Sequence, residues 1–175
     1  MNLTYKDITI RNAVSSDAEQ LANWWNDGAV MAHAGFPNGL GTTAEEIAVD
    51  LANDSDNTRR RLILLFQNSP IGEMVYRNIG ENTADIGIKI CEFPHQEKGI
   101  GRIALSLLIQ YLFDNSYHKI TLDTNLRNTR AQHVYEKLGF RKLRINVDSW
   151  RNQLGELESS VDYELTKENF INFAV

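Results

Sequence analysis

Apolar residues along this 175-residue chain follow two spacings, which predict a mixed fold of helices and strands. The clearest case lies between His95 and Phe140, where a helical spacing is followed by alternation over 119–124 and then by a second helical spacing. The order helix, strand, helix, strand suits a sheet covered by helices. The positions that carry the two helical spacings are Ile100, Ile103, Leu107, Leu108 and Tyr111, then Ala131, Val134, Tyr135 and Leu138.

Shorter alternating or apolar runs predict the other strands. Residues 71–78 and 83–91 are expected to form two antiparallel strands joined near Gly80. Two further helices are expected after Ser15 and after Thr43, where residues typical of helix starts precede apolar positions. Long loops are expected at 24–41 and 148–156. The remaining predicted strands are 8–11, 62–66 and 161–166.

Length and composition predict one globular domain over residues 1–175. Apolar residues make up 42% and charged residues 23%, which is ordinary for a soluble protein. The net charge of −5 argues against a general nucleic-acid binder and mildly favours a cationic substrate. No signal sequence or membrane-spanning run is present, and the single cysteine, Cys91, excludes an internal disulfide. We therefore expect a cytoplasmic protein that binds neither nucleic acid nor membrane.

The motif Gln96-x-x-Gly99-x-Gly101 comes directly before the first of the two helices. The first N–H groups of a helix lack intrahelical partners, and glycine lets a ligand approach the backbone closely. Together these features indicate an anion site suited to a phosphate or pyrophosphate. The alternative is a tight turn that starts the helix and binds nothing.

Two motifs resemble those of the Gcn5-related N-acetyltransferases, the GNAT superfamily. Gln96-x-x-Gly99-x-Gly101 is similar to the first family signature, and Asn128-x-x-Ala131-x-x-x-Tyr135-x-x-x-Gly139-Phe140 is similar to the second. The run 150–156, followed by Tyr163-x-Leu165-Thr166, resembles the branch that holds ribosomal-protein N-terminal and small-amine acetyltransferases, including aminoglycoside 6′-N-acetyltransferases. The resemblance implies a mixed α/β fold. Its mostly antiparallel sheet would have about seven strands with a splayed middle pair, flanked by about four helices.

The resemblance also implies acetyl-CoA as the acyl donor. Backbone N–H groups of the glycine loop would bind the pyrophosphate, and the strand around Ile90 and Cys91 would pair with the pantetheine arm. Cys91 is then a strand residue beside the cofactor and not a nucleophile. The implied cofactor-binding residues are Ile90, Cys91, Gln96, Glu97, Lys98, Gly99, Ile100, Gly101, Arg102, Asn128 and Tyr135.

Tyr135 and Asn128 each have two interpretations. By resemblance, the Tyr135 hydroxyl faces the thioester sulfur and protonates the departing thiolate, whereas its place on the apolar stripe also suits a core residue. Asn128 matches an asparagine near the pantetheine, yet the same side chain could cap the second helix.

The acceptor side is expected to combine large aromatic side chains with carboxylates, which suit the body and the ammonium of an amine. Asp85 and Glu73 are the candidates for the base that deprotonates the amine. Either could instead be a charged residue on a solvated strand face. No cluster has metal-ligand spacing. The predicted substrate-binding residues are Trp24, Trp25, Asp27, His33, Phe36, Glu73, Tyr76 and Trp150.

These features predict an N-acetyltransferase that moves an acetyl group from acetyl-CoA to the primary amine of a small molecule by direct attack in a ternary complex. A protein N-terminal acetyltransferase is the alternative within the enzyme class. A catalytically silent acyl-CoA-binding regulatory domain is the alternative outside it. The oligomeric state stays open, with a homodimer as one outcome.

Overall fold

The computed structural model describes residues 1–175 and contains eight strands and five α-helices. Four 3-10 turns, at Ser15–Asp17, Ala32–Ala34, Phe93–His95 and Lys167–Asn169, connect some of them. The strands are β1 (Asn2–Tyr5), β2 (Ile8–Asn12), β3 (Arg59–Phe66), β4 (Ser69–Asn78), β5 (Thr83–Ile90), β6 (Lys119–Asn125), β7 (Arg141–Arg151) and β8 (Leu157–Thr166). The helices are α1 (Ala18–Asn26), α2 (Gly28–Met31), α3 (Ala44–Ala52), α4 (Ile100–Asp114) and α5 (Thr129–Lys137).

All eight strands form one sheet in the order β1-β2-β3-β4-β5-β6-β8-β7. Every neighbouring pair is antiparallel except β5 and β6, which run parallel. Those two strands pair only over Thr83–Asp85 and Lys119–Thr121, so the rest of β5 and β6 part from each other. The mixed fold and its splayed middle pair are therefore confirmed.

The predicted counts of seven strands and four helices are each one too low. β1 is the extra strand, and it pairs antiparallel with β2 at the edge of the sheet. α2 is a single turn of helix inside the segment predicted as a long loop, and the Asp27 carboxylate caps it by accepting from the Ala29 N–H at 2.8 Å. β7 also extends through 148–151, which had been predicted as loop.

Helices cover the two faces of the sheet at different places. α4 and α5 pack on one face against side chains such as Leu62 and Leu64 of β3. α1 to α3 pack on the opposite face, where Ile63 meets them. Since successive strand residues point to opposite faces, β3 supplies both cores from one continuous apolar run. Each such side chain stabilises the fold by about 1.5–3 kcal/mol when fully buried.

α4 is buried over a wider surface than its predicted stripe. Leu105, Ile109 and Leu112 are buried as fully as the predicted Leu108. These side chains share one core with apolar residues of the sheet, whereas the predicted Ile103, Leu107 and Tyr111 are only partly buried. The C-terminal segment also contacts α4, where the Phe173 N–H donates to the buried Ser106 Oγ at 3.0 Å. No helix is long and apolar enough to cross a membrane.

Candidate active site

The gap between β5 and β6 opens into a cavity of about 770 Å³. Its walls come from the end of β5, the first turn of α4, the end of β6 and the inner side of α5. α2, the turn that follows it, and Trp150 of β7 complete the far end. A volume of this size is typical of a small-molecule or cofactor site.

The glycine loop leads directly into α4 at one end of this cavity. Gly99 stands at the N-cap position with φ of 78°, and no side chain caps the helix. A Cβ on Gly99 would meet nothing within 4 Å, and one on Gly101 would meet only Ile90 Cδ1 at 3.5 Å. The uncapped N–H groups of residues 99–102 therefore border open space, which fits an anionic group such as a pyrophosphate.

Side chains of the loop hold its shape. Gln96 Nε2 donates to the Ile90 carbonyl at 2.9 Å and so fixes the loop to the end of β5. Arg130 of α5 donates to Gln96 Oε1 at 3.1 Å and to Glu97 Oε1 at 2.9 Å. Gln96 and Glu97 border the cavity, whereas Ile100 is buried in the core and Lys98 does not line the cavity.

Arg102 lines the cavity from the first turn of α4. Its guanidinium lies over the Phe173 ring, 4.3 Å from the centroid, and its buried Nε atom has no hydrogen-bond partner. The side chain is thus a cation beside the uncapped helix terminus, which adds to the positive potential offered to an anion.

The main chain of β5 faces the gap at alternate residues. The Cys91 N–H donates to the Ile71 carbonyl at 2.9 Å, toward β4, so strand alternation turns the backbone groups of Ile88 and Ile90 toward β6. Both residues line the cavity, where Ile88 offers its N–H and carbonyl to a ligand. The Cys91 side chain is buried in the opposite core, and this burial raises the pKa of its thiol.

Asn128 and Tyr135 line the same cavity and also have structural contacts. Asn128 Oδ1 accepts from the Ala131 N–H at 3.2 Å and caps α5. The Tyr135 ring packs edge-on against Phe140 and Tyr163, with centroids 5.9 and 5.8 Å away. Burial, with a smaller contribution from the charge of Asp123, raises the pKa of Tyr135 to about 12. The hydroxyl therefore keeps its proton at neutral pH.

The two adjacent tryptophans have different partners. Trp24 is buried in the core and its Nε1 donates to Glu92 Oε1 at 2.8 Å. Trp25 Nε1 donates to Glu73 Oε1 at 2.8 Å, and Lys89 Nζ lies 3.2 Å from the same oxygen. Trp25 and Glu73 line a second cavity of about 360 Å³, which meets the first along Gly87, Ile88 and Lys89 of β5.

The other predicted acceptor residues divide into two groups. His33 and Trp150 line the main cavity. Four others lie outside the main cavity: Asp85, Asp27, Phe36 and Tyr76. All of these except Phe36 bind another part of the protein. Asp85 pairs with Arg77 at 3.1 Å and accepts from Thr121 Oγ1 at 3.3 Å, Asp27 caps α2, and the buried Tyr76 hydroxyl donates to Asp56 at 3.0 Å.

The hairpin of β7 and β8 contributes Trp150 to the cavity wall. Trp150 lies against Gly35, so closely that a Cβ there would come within 2.4 Å of the indole ring. Gln153 donates from its N–H to the Gly35 carbonyl at 2.8 Å and from Nε2 to the Gly39 carbonyl at 2.9 Å. Its Oε1 accepts from the Asn38 N–H at 2.8 Å. The hairpin is thus fixed onto the loop that follows α2.

Sequence reasoning missed Asp123, which lies on β6 and lines the cavity. The Asp123 side chain is exposed to the cavity, and partial loss of hydration beside the cavity wall raises the pKa of its carboxyl. The charges of Asp85 and Asp162 raise it further. A signal was present in the sequence: Asp123 is the one acidic residue in the predicted strand 119–124, which leads to the motif that begins at Asn128. The sequence alone does not show the raised pKa of Asp123, because Asp85 and Asp162 lie on strands that are distant in the chain.

Solved structures with the same fold cover nearly the whole chain. A ribosomal-protein-S5-alanine acetyltransferase from Vibrio fischeri is 21% identical, with a TM-score of 0.83 over 98% of this chain and 99% of that one. A spermidine N-acetyltransferase from Vibrio cholerae, in complex with CoA and spermine, is 24% identical, with a TM-score of 0.82 over 95% and 99%. A ribosomal L7/L12 alpha-N-protein acetyltransferase in complex with coenzyme A is 15% identical, with a TM-score of 0.81 over 95% and 98%.

The family comparison covers most of the chain as well. Residues 7–141 match the family described as the acetyltransferase (GNAT) domain. That range includes the glycine loop, β5, β6 and Tyr135, which together form the walls of the main cavity. The chain therefore belongs to the GNAT acetyltransferase family.

Proposed function

We propose that this protein transfers the acetyl group of acetyl-CoA to the primary amine of a small molecule. The observation that carries the choice of acceptor is Trp150, which lines the cavity and packs against Gly35, while Gln153 of the same hairpin is bonded to the loop after α2. A fixed aromatic wall of this kind suits the body of a small amine. The structural relatives bound to CoA, one of them a spermidine acetyltransferase, support the same donor and an amine acceptor.

Residues of the cavity would hold the donor in the splayed gap. The N–H groups of residues 99–102 bind its phosphates, with Arg102 adding positive charge. The backbone of Ile88 offers hydrogen bonds to the pantetheine arm. Holding donor and amine together lowers the barrier, since proximity and orientation supply several kcal/mol.

Tyr135 would act as the proton donor. Bound acetyl-CoA supplies a thioester carbonyl, and its sulfur leaves more readily when it is protonated. Because burial raises the pKa of Tyr135 to about 12, its hydroxyl keeps its proton at neutral pH and has one to donate to the departing thiolate. The ring packing against Phe140 and Tyr163 fixes where that hydroxyl points.

The test is release of free thiol from acetyl-CoA in the presence of a panel of polyamines, aminoglycosides and peptides with free N-termini. We expect release that depends on a small amine. Release only with peptides would make the protein an N-terminal acetyltransferase. Tight coenzyme A binding with no amine-dependent release would make it a silent acyl-CoA-binding domain.

A further inference from the structure

Two carboxylates line the main cavity, Asp123 and Glu97. Glu97 belongs to the glycine loop at the donor end, and Arg130 pairs with it at 2.9 Å. Asp123 lies on β6 and has no hydrogen bond or ion pair to another side chain. It lies near enough to Tyr135 for its charge to raise the pKa of that hydroxyl. Asp123 is therefore the one cavity carboxylate that is free to meet a ligand.

The two carboxylates predicted as the base are already occupied. Trp25 and Lys89 both bind Glu73 Oε1, and the side chain of Glu73 faces the second cavity. Asp85 pairs with Arg77 and accepts from Thr121. Each of the two carboxylates therefore already has a cation beside it, in the place that a ligand ammonium would take.

The neighbours of Asp123 strengthen it as a proton acceptor. Partial loss of hydration at the cavity wall raises its pKa, and the negative charges of Asp85 on β5 and Asp162 on β8 act in the same direction. Arg77 on β4 acts weakly in the opposite direction. The other titratable or charged side chains that line the same cavity lie on β5, on the loop after α2, on the glycine loop and on α4 and α5: Lys89, His33, Glu97, Arg102, Arg130, His133, Tyr135 and Lys137.

We propose that the carboxylate of Asp123 receives the acceptor amine and takes the proton that the amine must lose before it attacks. This proposal rests on the proposed acetyltransferase function. The ammonium gives one proton to Asp123 directly or through a water, and the freed nitrogen lone pair forms the bond to the thioester carbon. The carbon–sulfur bond breaks, Tyr135 protonates the sulfur, and the second nitrogen proton returns to the Tyr135 oxygen. Amide, free thiol and one proton on Asp123 are left, which balances the reaction.

The test compares three variants with the wild type, using the best amine of the acceptor panel. Asp123→Asn should lower kcat/KM at neutral pH by roughly 100- to 10,000-fold, the range of a general base, and should move its half-maximal pH upward toward the pKa of the free amine. Asp123→Glu should restore part of the rate. Calorimetry should give the wild-type affinity for coenzyme A in all of them.

Asp162→Asn is the matched control, since Asp162 faces Asp123 across the β6–β8 register but pairs with Arg144 and does not line the cavity. Asp162→Asn removes one negative charge next to Asp123 and leaves the Asp123 carboxylate in place. We expect kcat/KM to stay within about threefold of the wild type, because one neighbouring charge shifts the pKa of Asp123 only modestly. Its half-maximal pH should move slightly downward, the opposite direction to that of Asp123→Asn. His33→Gln and His133→Gln test the two histidines that also line the cavity.

Thermal unfolding gives a readout that needs no acceptor. A carboxyl whose pKa is raised on folding contributes stability at low pH and loses it as pH rises through the folded pKa. Asp123→Asn should therefore unfold at a higher temperature than the wild type at pH 7, and the gap should shrink as pH falls toward about 3.9.

Three results would overturn the assignment. One is an active wild type whose kcat/KM and pH profile survive Asp123→Asn. Another is a pH shift of the predicted size in His33→Gln or His133→Gln alone. The third is an Asp123→Asn variant that is less stable than the wild type at pH 7, which would make the carboxylate a structural group. Absence of amine-dependent thiol release in the wild type would instead refute the proposed function. The unfolding comparison would still test whether the Asp123 carboxylate stabilises or destabilises the fold at pH 7.

Discussion

Gln153 provides the sharpest test of how the acceptor end of the cavity is built. Its side chain makes two hydrogen bonds to the loop after α2, to the Gly39 carbonyl at 2.9 Å and from the Asn38 N–H at 2.8 Å. Gln153→Ala removes both and leaves the bond from its own N–H to the Gly35 carbonyl. The substitution therefore loosens the hairpin without removing it.

The size of the effect follows from those contacts. An intramolecular hydrogen bond contributes about 0.5–1.5 kcal/mol net to stability. The bond from the Asn38 N–H is exposed to solvent, so its contribution falls at the lower end of that range. The two together give about 1–2 kcal/mol, which weakens docking of the hairpin by roughly 5- to 30-fold. Trp150 still packs against Gly35, so we expect kcat/KM for the amine to fall by no more than this factor.

The assay measures initial rates of thiol release against amine concentration at saturating acetyl-CoA, together with the calorimetric affinity for coenzyme A. The loss should appear in KM for the amine, with coenzyme A affinity unchanged. Leu154→Ala is the matched control, because Leu154 is the next residue and its side chain is 57% exposed. An unchanged KM in Gln153→Ala, or an equal loss in Leu154→Ala, would refute the role of these two bonds.

Three further predictions concern the glycine loop, Tyr135 and Cys91. Gly101→Asp should fold but lose coenzyme A binding in calorimetry, because its carboxylate enters the phosphate site. Gly101→Ala should weaken binding far less, since its Cβ meets only Ile90 Cδ1 at 3.5 Å. Equal coenzyme A affinities of the two variants would show that the loop is not part of the site. Tyr135→Phe should lower kcat by roughly 10- to 1000-fold with little change in acetyl-CoA binding, and the wild type should show no alkaline loss of activity from this residue below about pH 11. Cys91 should resist iodoacetamide in the native protein at pH 8, since the thiol is buried and its pKa is raised; rapid alkylation seen by mass spectrometry would contradict this.

Features with a local cause were predictable from the sequence. The start of α4 follows from Gly99, whose positive φ and missing side chain leave the helix uncapped. α5 follows from Asn128 and the apolar spacing after it, and the structure places both on the cavity. β1 was missed because Leu3 is its one aliphatic residue among polar and aromatic neighbours, and its pairing with β2 supplies the missing support.

Features that depend on distant parts of the chain were not predictable. Trp24 and Trp25 are adjacent, and only the fold decides that one indole is buried beside Glu92 while the other reaches Glu73. Asp123 differs from any other strand aspartate because Asp85 and Asp162 come to lie on either side of it. The site roles proposed for Tyr135 and Asn128 stay predictions, since each residue also has a sufficient structural contact.

The short pairing between β5 and β6 makes the sheet two half-sheets joined at a hinge. Three residue pairs connect the five strands on one side to the three on the other, and the edges beyond them carry main-chain groups with no strand partner. A donor lying in the gap would serve as a ninth strand. Ligand binding should then slow hydrogen exchange at the Ile88 amide and raise the stability of the whole protein by about 2.7 kcal/mol at 100 times the dissociation constant. The substrate of this enzyme would thus also complete its architecture.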